Sequence, residues 1–577
     1  MGPEMREKAL GAGVLAVLSA WVIVCAWFPL TDTDIWWHLA SAKLMWAQKA
    51  FLRADPFCLA SLGAPWTDLH WGFQLLAYGF WKWGGARALV AWKSLALLGA
   101  VLLVLRPHLD RRNLFWMAAL AAFGTYHIRL FVDVRPLAMT LLGLGLQYAT
   151  VLAYLQGRLS KPWLILVPVQ VVLVNMQGLY PLGAVLVSCF ALGEYLARVM
   201  PSCFPGLAFL ASAHVFPAGD AAGTSRPAPS WRPLAWTSLA LWLAGFINPY
   251  GWEGFKLPLA LLGRISPVAG NVFSLEIAEN IPLPAMMRAD PRAGIPFVLM
   301  AAVVIFTFDR ARRRTSAGHA LLFAAFGLLG LMAQRNLPLA YLACLMAAGR
   351  NLQASPGPIG PRARRAWAAG GIAALSAVIL LYAPRIKEAW EYELPGSLET
   401  PFRFPSGAAG FLETHPLPGH IFNELRYGGY LEYRLYPPKL TFVDGRMIVR
   451  DDAFYREFLD VVDHPPRFDV YRARYGITHV LLPIAEDRRY VPLLGYLLRQ
   501  GEWRLLHCDG ASALLARGAE AEALALPLDS LAPDHPVRTA LRRRFAANPR
   551  LERLAEGNLS RFLEEAGLGR AARDVFR

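Results

Sequence analysis

Long apolar runs recur along the first two thirds of this sequence and constrain its fold more than any other feature. Most are close to the roughly 20 residues that an α-helix needs to cross a bilayer. The pattern predicts a polytopic α-helical membrane protein with about eleven transmembrane helices. The runs cover residues 9–30, 72–105, 113–128, 136–155, 162–176, 179–199, 232–248, 293–308, 319–333, 336–348 and 366–384.

Two other segments bear on the count of spans. The first run follows Arg6 and Lys8 as a signal peptide would, but it is long and lacks a small-residue cleavage pattern. A retained helix is therefore predicted. The apolar stretch 203–216 is too short to cross a bilayer, and we expect it to be re-entrant or interfacial.

The composition agrees with a membrane protein and argues against other classes. Hydrophobic residues make up 55% of the 577 residues and charged residues only 17%, which excludes a disordered chain. The net charge of +16 would suit nucleic-acid binding, but Lys and Arg gather in short loops between the apolar runs. The six cysteines have no paired spacing, so neither a disulfide framework nor a zinc site is expected.

The basic loops also orient the predicted helices, because cytoplasmic loops are enriched in Lys and Arg. If the N-terminus is cytoplasmic, all the basic clusters fall inside and everything after residue 384 lies outside. This orientation suits a bacterial inner membrane protein. The cytoplasmic loops would be 106–112, 157–162, 200–231, 309–318 (with Arg310, Arg312, Arg313 and Arg314) and 349–365.

The loop after the first run carries two acids, two tryptophans and a histidine, namely Asp32, Asp34, Trp36, Trp37 and His38. A carboxylate at the bilayer surface costs little and can reach a substrate held there, so Asp34 or Asp32 is the candidate catalytic base. Either acid would equally serve as a helix N-cap. The tryptophans are equally suited to anchoring one or two surface helices at the membrane interface.

Further unusual polar residues fall at the predicted outer ends of the spans, although they were not used to derive the orientation. Ionisable groups near a bilayer are functional candidates, so we expect these residues to bind substrate together with Trp37 and His38. The cytoplasmic ends carry mainly solvated Arg and Lys. The outer set is Asp68, His70, Arg129, Arg135, Asn175, Gln177, Glu276, Arg335 and Asn336.

Such a set suits the transfer of a sugar from a lipid-phosphate carrier. A carboxylate can take the proton of an acceptor hydroxyl, and Asp32 and Asp34 could hold a divalent metal, Mg or Mn, on the phosphate. Arginines can bind the departing phosphate and stabilise its charge. Structural alternatives stay open: Asp133 and Arg135 could pair only with each other, and Glu276 could be a solvated loop acid.

The C-terminal third loses the membrane pattern. Short strands are predicted at 421–423, 430–433, 440–443, 479–482 and 513–515, so residues 385–520 are predicted to form an extracytoplasmic α/β domain. Residues 521–577 are predicted to form a helical tail of two or three amphipathic helices, and residues 1–384 the transmembrane domain with its first outer loop at 31–70. The segment Val443–Arg446 is best explained as a strand entering a tight turn with Asp444 paired to Arg446.

Several short motifs resemble a bacterial group of polytopic proteins described as GT-C class glycosyltransferases, similar to the protein mannosyltransferase and aminoarabinose transferase superfamily. The resemblance covers most of residues 10–515. It implies a GT-C membrane fold, a polyprenyl-phosphate sugar donor and extracytoplasmic catalysis by a first-loop acid. The motifs are Asp32–His38, Ala54–Phe57, Pro65–Trp71, Gly84–Gly85, Val134–Pro136, Val174–Gly178, Ile247–Gly251, Gln334–Asn336, Phe422–Asn423, Tyr427–Leu431 and Val443–Arg446.

Carried over residue by residue, the resemblance favours Asp34 as the essential acid, because Trp36, Trp37 and His38 follow it as in the group. One departure is the segment Asn175–Gln177, which has glutamine where the group often has histidine.

The leading hypothesis is a membrane glycosyltransferase that passes a sugar, with inversion, from a polyprenyl-phosphate carrier to an acceptor outside the cytoplasm. The acceptor could be a glycan, a lipid or a protein, and nucleic acid is not an expected partner. A non-catalytic membrane scaffold of a surface-assembly complex is the alternative. A lipid-linked sugar transporter or ligase ranks last, because the sequence shows no inverted repeat with broken helices.

Overall fold

The structure is a computed structural model that describes residues 3–110, 112–129, 131–204, 230–265, 270–311, 314–393, 398–446, 448–527 and 535–574. Most of the stretch 203–216, most of the loop 200–231, and the loop residues Arg312 and Arg313 lie outside this described part, so the predictions made for them are not examined.

The region that carries the apolar runs is helical. In chain order its helices are α1 (Pro3–Ala26), α2 (Asp34–Gln48), α3 (Trp71–Leu105), α4 (Leu114–Arg129), α5 (Pro136–Leu155), α6 (Trp163–Val174), α7 (Pro181–Arg198), α8 (Met200–Cys203), α9 (Arg232–Leu243), α10 (Trp252–Ile265), α11 (Val272–Leu275), α12 (Leu283–Ala289), α13 (Ile295–Ala311), α14 (Ala317–Met332), α15 (Leu337–Ala354) and α16 (Pro361–Glu391).

Each predicted apolar run corresponds to one of these helices. Within the described residues, five helices are long and apolar enough to cross a membrane: those over Ala9–Ala26, Trp71–His108, Pro136–Leu155, Pro181–Cys203 and Pro361–Glu391. Two shorter apolar helices cover Trp163–Val174 and Ala317–Met332. The chain is therefore a multi-pass membrane protein, and the count of about eleven spans stays a prediction.

The predicted run 72–105 is not one regular helix. The backbone of α3 is non-helical at Gly84 (φ −151°, ψ 20°) and at Gly85 (φ 58°, ψ −146°). The positive φ at Gly85 is a conformation that residues with a side chain rarely adopt, so the glycine pair permits this break. Hydropathy could not reveal the break, because glycine does not interrupt an apolar run.

The chain divides into two compact units. We call Met1–Phe28, Leu69–Phe73 and Ala88–Lys387 the helical unit, and Pro29–Asp68, Gln74–Arg87 and Glu388–Arg577 the mixed unit. One contiguous apolar core fills the helical unit, with buried residues from α1, α3, α4, α5, α7 and α15 among others. In α15 almost every side chain is buried, which indicates a central helix.

The mixed unit contains one four-stranded sheet and several helices. Its strands are β1 (His420–Asn423), β2 (Ile477–Pro483), β3 (Trp503–Cys508) and β4 (Ser512–Arg517), in the order β1-β2-β4-β3. Strand β1 pairs in parallel with β2, and the other pairs are antiparallel. Its helices after α16 are α17 (Ser406–Thr414), α18 (Leu425–Leu435), α19 (Asp452–Asp463), α20 (Phe468–Tyr475), α21 (Val491–Arg499), α22 (Ala519–Ala523), α23 (Pro536–Phe545), α24 (Pro549–Glu565) and α25 (Gly569–Asp574).

Three of the five strands predicted here are present, and two predictions are wrong. Residues 430–433 lie in α18, where Tyr427, Tyr430, Leu431 and Leu435 form a buried helical stripe that the alternation of four residues had concealed. Residues 440–443 form only an isolated bridge at Thr441. Strand β3 was not predicted. In the tail, α23 to α25 agree with the predicted helices.

The first outer loop belongs to the mixed unit and contains α2. The prediction that the Trp36 side chain lies along the membrane surface is wrong, because that side chain is 1% exposed. Its ring packs edge-to-face against Trp81 (centroids 5.3 Å apart), Phe404 (5.6 Å) and Tyr430 (4.7 Å). Trp36 is thus a core residue that joins α2 to α18.

Candidate functional site

The first-loop acids occupy different positions at the start of α2. Asp32 is buried, and its Oδ1 accepts a hydrogen bond from the backbone N–H of Asp34 at 3.1 Å. Asp32 therefore satisfies a donor of the first helical turn that has no partner within the helix. Asp34 is the first residue of α2 and is half-buried. The N-terminal end of a helix favours its negative charge.

The Asp34 carboxylate lies against Gly445 in the segment Val443–Arg446. A Cβ atom placed on Gly445 would lie 2.7 Å from Asp34 Oδ1 and 3.9 Å from Asp34 Cγ. Glycine is needed at 445 for this close approach, because van der Waals contact between such atoms begins near 3.4 Å. The first-loop motif and the Val443–Arg446 motif therefore meet in the mixed unit.

Trp37 and His38 follow Asp34 on α2. Their rings lie 3.6 Å apart between centroids, and Trp37 also contacts Trp66 edge-on at 6.2 Å. Both Trp37 and His38 are buried, and His38 covers one face of the Trp37 ring. Both side chains therefore lie in the packed interior of the mixed unit.

Beside Gly445, a fully buried ion cluster joins two motifs that are far apart in sequence. We call Asp55, Cys58, Glu432, Asp444 and Arg446 the Arg446 cluster. The Arg446 Nη2 donates to Asp55 Oδ1 at 2.7 Å, and its Nε donates to the Asp444 carboxylate. The predicted Asp444–Arg446 pair is present, but it is only part of this larger network.

The surroundings of Arg446 are both aromatic and acidic. Its guanidinium carbon lies 4.4 Å from the centroid of the Trp66 ring. Ser61 Oγ donates to Asp55 Oδ2 at 2.6 Å, and the Phe57 backbone N–H donates to Asp55 Oδ1 at 3.0 Å. These bonds fix Asp55, so Arg446 is bound to a rigid acceptor.

Glu432 is the third acid of the cluster. Burial first, and then the negative charge of Asp444, raise the pKa of the Glu432 carboxyl well above its ordinary value, while Arg446 acts in the opposite direction. Its Oε1 accepts from Thr441 Oγ1 at 3.2 Å, and Oε2 has no hydrogen-bond partner. Glu432 therefore keeps its proton to a higher pH than an exposed glutamate.

Cys58, Glu432 and Asp444 could by their atom types hold a metal, since their ligand atoms lie within 4.8 Å of one another. However, Arg446 Nη2 lies 3.5 Å from Cys58 Sγ and 4.0 Å from Glu432 Oε1. The guanidinium thus already supplies the positive charge among these donors, and the cluster does not fit a second cation. At the start of α2, the Asp32 and Asp34 carboxylates are ligand types that suit Mg or Mn.

In the helical unit, two basic residues lie near the Phe28 ring. Arg129 ends α4, and its guanidinium carbon lies 5.9 Å from the Phe28 centroid and 5.3 Å from that of Tyr126. Among the described residues it has no carboxylate partner, and its Nη1 is buried without a hydrogen bond. Lys93 Nζ, only 3.2 Å from the Phe28 centroid, is paired with Asp133 at 3.3 Å.

The alternative that Asp133 and Arg135 pair only with each other is wrong, because each has a partner on another element. Asp133 pairs with Lys93, and both Oε atoms of Glu279 accept from Arg135 Nη1, at 2.8 and 2.9 Å. Sequence proximity misled here, because a charge at a helix end pairs with whichever element packs beside it. Sequence reasoning missed Lys93, although a lone lysine inside an apolar run was a signal.

The amide residues of the predicted set form bonds that stabilise loops. Asn175 Oδ1 accepts from Trp71 Nε1 at 2.9 Å, and its Nδ2 donates to the backbone oxygens of Val171 and Ile247, each at 2.8 Å. Gln177 accepts from Thr140 Oγ1. These bonds hold both side chains, and their predicted role in substrate binding stays a prediction.

The remaining predicted residues have varied surroundings. Arg335 Nη1 donates to Asn280 Oδ1 at 3.2 Å, and Asn336 Nδ2 donates to the Leu329 carbonyl at 3.0 Å. In the mixed unit, Asp68 is fully buried. In the helical unit, His70 is half-buried before α3 and Glu276 is exposed after α11.

No protein-family model matches the sequence, and no curated protein matches it. Solved structures do match the fold. The Archaeoglobus fulgidus oligosaccharyltransferase AglB, in complex with an inhibitory peptide and a dolichol-phosphate, has TM-score 0.50 and 13% identity, over 83% of this chain and 70% of that chain. An Archaeoglobus fulgidus oligosaccharyltransferase tethered with an acceptor peptide has TM-score 0.53 and 13% identity, over 83% of this chain and 69% of that chain.

ArnT from Cupriavidus metallidurans in the apo state has TM-score 0.50 and 12% identity, over 91% of this chain and 100% of that chain. AglB and ArnT are GT-C glycosyltransferases. The resemblance inferred from the sequence is thus confirmed for the fold, and the chain has the fold of these membrane glycosyltransferases.

Proposed function

We propose that this protein is a membrane glycosyltransferase that moves a sugar from a polyprenyl-phosphate carrier to an acceptor outside the cytoplasm. The proposal places it in a bacterial inner membrane, with the N-terminus in the cytoplasm and the mixed unit outside. The distribution of basic loops supports this orientation. The likeness of the fold to AglB, whose complex contains a dolichol-phosphate, supports the class of donor.

The position of Asp34 carries the proposal. Asp32 uses a carboxylate oxygen to accept a hydrogen bond from the backbone N–H of Asp34, whereas the Asp34 carboxylate projects from the first helical turn against a glycine. In the proposed reaction Asp34 takes the proton of the acceptor hydroxyl as its oxygen attacks the anomeric carbon. The new glycosidic C–O bond forms with inversion as the bond to the carrier phosphate breaks, and polyprenyl phosphate leaves with the electron pair.

Arg129 is the proposed ligand of the carrier phosphate. Of the arginines whose partners the structure describes, Arg135 is neutralised by Glu279, whereas Arg129 lies over aromatic rings without a carboxylate. A guanidinium in such surroundings gains from a phosphate partner and stabilises the charge of the leaving group.

The test uses the full-length protein in lipid nanodiscs with polyprenyl-phosphate-linked sugars and an envelope fraction as the acceptor. We expect the wild type to release polyprenyl phosphate and the doubly substituted Asp32→Ala, Asp34→Ala protein, inserted normally, to release none above background. Equal release by both proteins would disprove the catalytic assignment. No release with any donor, together with stable co-purification of a surface-assembly complex, would favour the scaffold.

A further inference from the structure

We propose that Gly445 is a positioning residue that sets the location of the Asp34 carboxylate. This inference rests on the proposed function, in which Asp34 is the base. Gly445 itself touches no reacting atom. Because it has no side chain, Gly445 leaves room for the Asp34 carboxylate. The residues on either side of it, Asp444 and Arg446, are buried and charged, and they hold the backbone at 445 in place.

The space is narrow and is formed without a side chain. A methyl group at 445 would lie 2.7 Å from Asp34 Oδ1, well inside van der Waals contact, and apart from the adjacent residues 444 and 446 the described residues place only Asp34 atoms within 4 Å of that position. The carboxylate oxygen of Asp34 is therefore the one described neighbour that any side chain at 445 would displace.

Hydrogen bonds on both sides of Gly445 prevent its backbone from moving away from Asp34. Asp444 and Arg446, on either side of Gly445, are bound to each other, and the Arg446 N–H also donates to Asp444 Oδ1 at 3.0 Å. Arg446 is in turn held by Asp55. Just before this turn, Asn423 Nδ2 donates to the Val443 carbonyl at 2.7 Å. A shift of Gly445 would break buried charged hydrogen bonds, which cost more than a side-chain rotation.

The backbone of Asp34 is held as well. Its N–H is bound by Asp32, and one turn along α2 the backbone of Trp37 lies so close to Gly429 that a Cβ there would approach Trp37 N to 2.7 Å. With both backbones fixed, a clash at 445 relaxes through rotation of the Asp34 side chain. The carboxylate then leaves its location while the fold is retained.

Other glycines of the mixed unit provide contrasts. A Cβ on Gly428 would approach the Val443 carbonyl oxygen to 2.2 Å, so a side chain there would push against backbone. Gly410, in α17, has nothing within 4 Å of its Cβ position. Alanine at 428 should thus damage packing, and alanine at 410 should be tolerated because it favours the helix.

The experiment compares Gly445→Ala with Gly428→Ala, Gly410→Ala and Asp34→Asn in full-length protein in nanodiscs. For Gly445→Ala we expect kcat to fall by roughly 100-fold, as a displacement of about 1 Å can cause, with the donor KM within about 2-fold. Its thermal midpoint should stay within about 2 °C of the wild type. Gly410→Ala should match the wild type in kcat, and Gly428→Ala should lose thermal stability.

The outcomes separate this inference from the proposed function. If Asp34→Asn is inactive but Gly445→Ala keeps wild-type kcat, Gly445 does not position the base, and the proposed function stands. If Gly445→Ala loses activity and thermal stability together, as Gly428→Ala should, the role is structural and the inference fails. If Asp34→Asn keeps full activity, the proposed function itself fails. Adding Gly445→Ala to Asp34→Asn should lower kcat no further, since both act through one carboxylate.

Discussion

Two sets of acidic side chains in the mixed unit differ in how their charge is balanced. In the Arg446 cluster, Asp55 and Asp444 are buried and hold one arginine, and Glu432 has a raised pKa. At the start of α2, Asp34 is half-buried where a helix terminus favours its charge. The comparison teaches that the cluster holds the backbone in place, whereas Asp34 lies at a helix terminus, where we propose that it acts on a substrate.

Removal of the cation of the Arg446 cluster should have the largest effect on stability. Arg446→Met would leave Asp55 and Asp444 buried without a counter-charge, so we expect a loss of about 3–5 kcal/mol in the free energy of unfolding. Arg434→Met is the matched control, because Arg434 pairs with Glu413 near the surface and should cost less than about 1 kcal/mol. Thermal unfolding in one detergent measures both. Equal losses of unfolding free energy in the two variants would mean that the buried cluster stabilises the fold no more than a surface ion pair does.

In the helical unit, Arg129 and Arg135 differ in whether a carboxylate balances their charge among the described residues. We expect Arg129→Gln to raise the Kd for polyprenyl phosphate by roughly 10- to 100-fold, the worth of a charged hydrogen bond. Arg135→Gln should raise it only a few-fold, because Glu279 already balances Arg135. Binding to nanodisc-embedded protein, measured by calorimetry, compares the two. A larger effect at Arg135 would overturn the assignment of the phosphate ligand.

A smaller effect should come from Glu432→Gln, and it depends on pH. The raised pKa means that the folded protein binds a proton more tightly than the unfolded chain, so this group's contribution to stability is lost as pH rises towards the folded pKa. Glutamine cannot ionise, so the variant should gain thermal stability relative to the wild type as the pH rises above the ordinary pKa of a glutamate. Glu413→Gln, at the surface, should show no such trend. A difference independent of pH would exclude the assigned protonation of Glu432.

Structural features that depend on residues close together in the sequence were predicted better than features that depend on distant residues. The apolar runs predicted the helices, because burial in lipid or in a helical core leaves a continuous trace in the sequence. The strand predictions at 430–433 and 440–443 failed, because a few alternating residues do not distinguish a strand from one helical stripe.

The site was predictable only in part. The first-loop acids stood out by position, but nothing local shows that Asp55 reaches Arg446, which is 391 residues further along the chain. Nor could a sequence reveal that Lys93, 40 residues earlier in the chain, pairs with Asp133. The structure was also needed to distinguish the roles of Asp32 and Asp34. From the sequence, either acid could bind backbone N–H groups at the start of α2, and the structure shows that Asp32 does so.

The most direct test of the central claim compares Asp34→Asn with Asp32→Asn in one transfer assay, with kcat as the readout. Removal of a general base typically costs 10²–10⁴-fold, so Asp34→Asn should lose activity on that order. Asparagine caps helices about as well as aspartate, so Asp32→Asn should stay within about 3-fold of the wild type. If instead Asp32→Asn is the inactive protein, or if Asp34→Asn keeps its kcat, Asp34 is not the catalytic base.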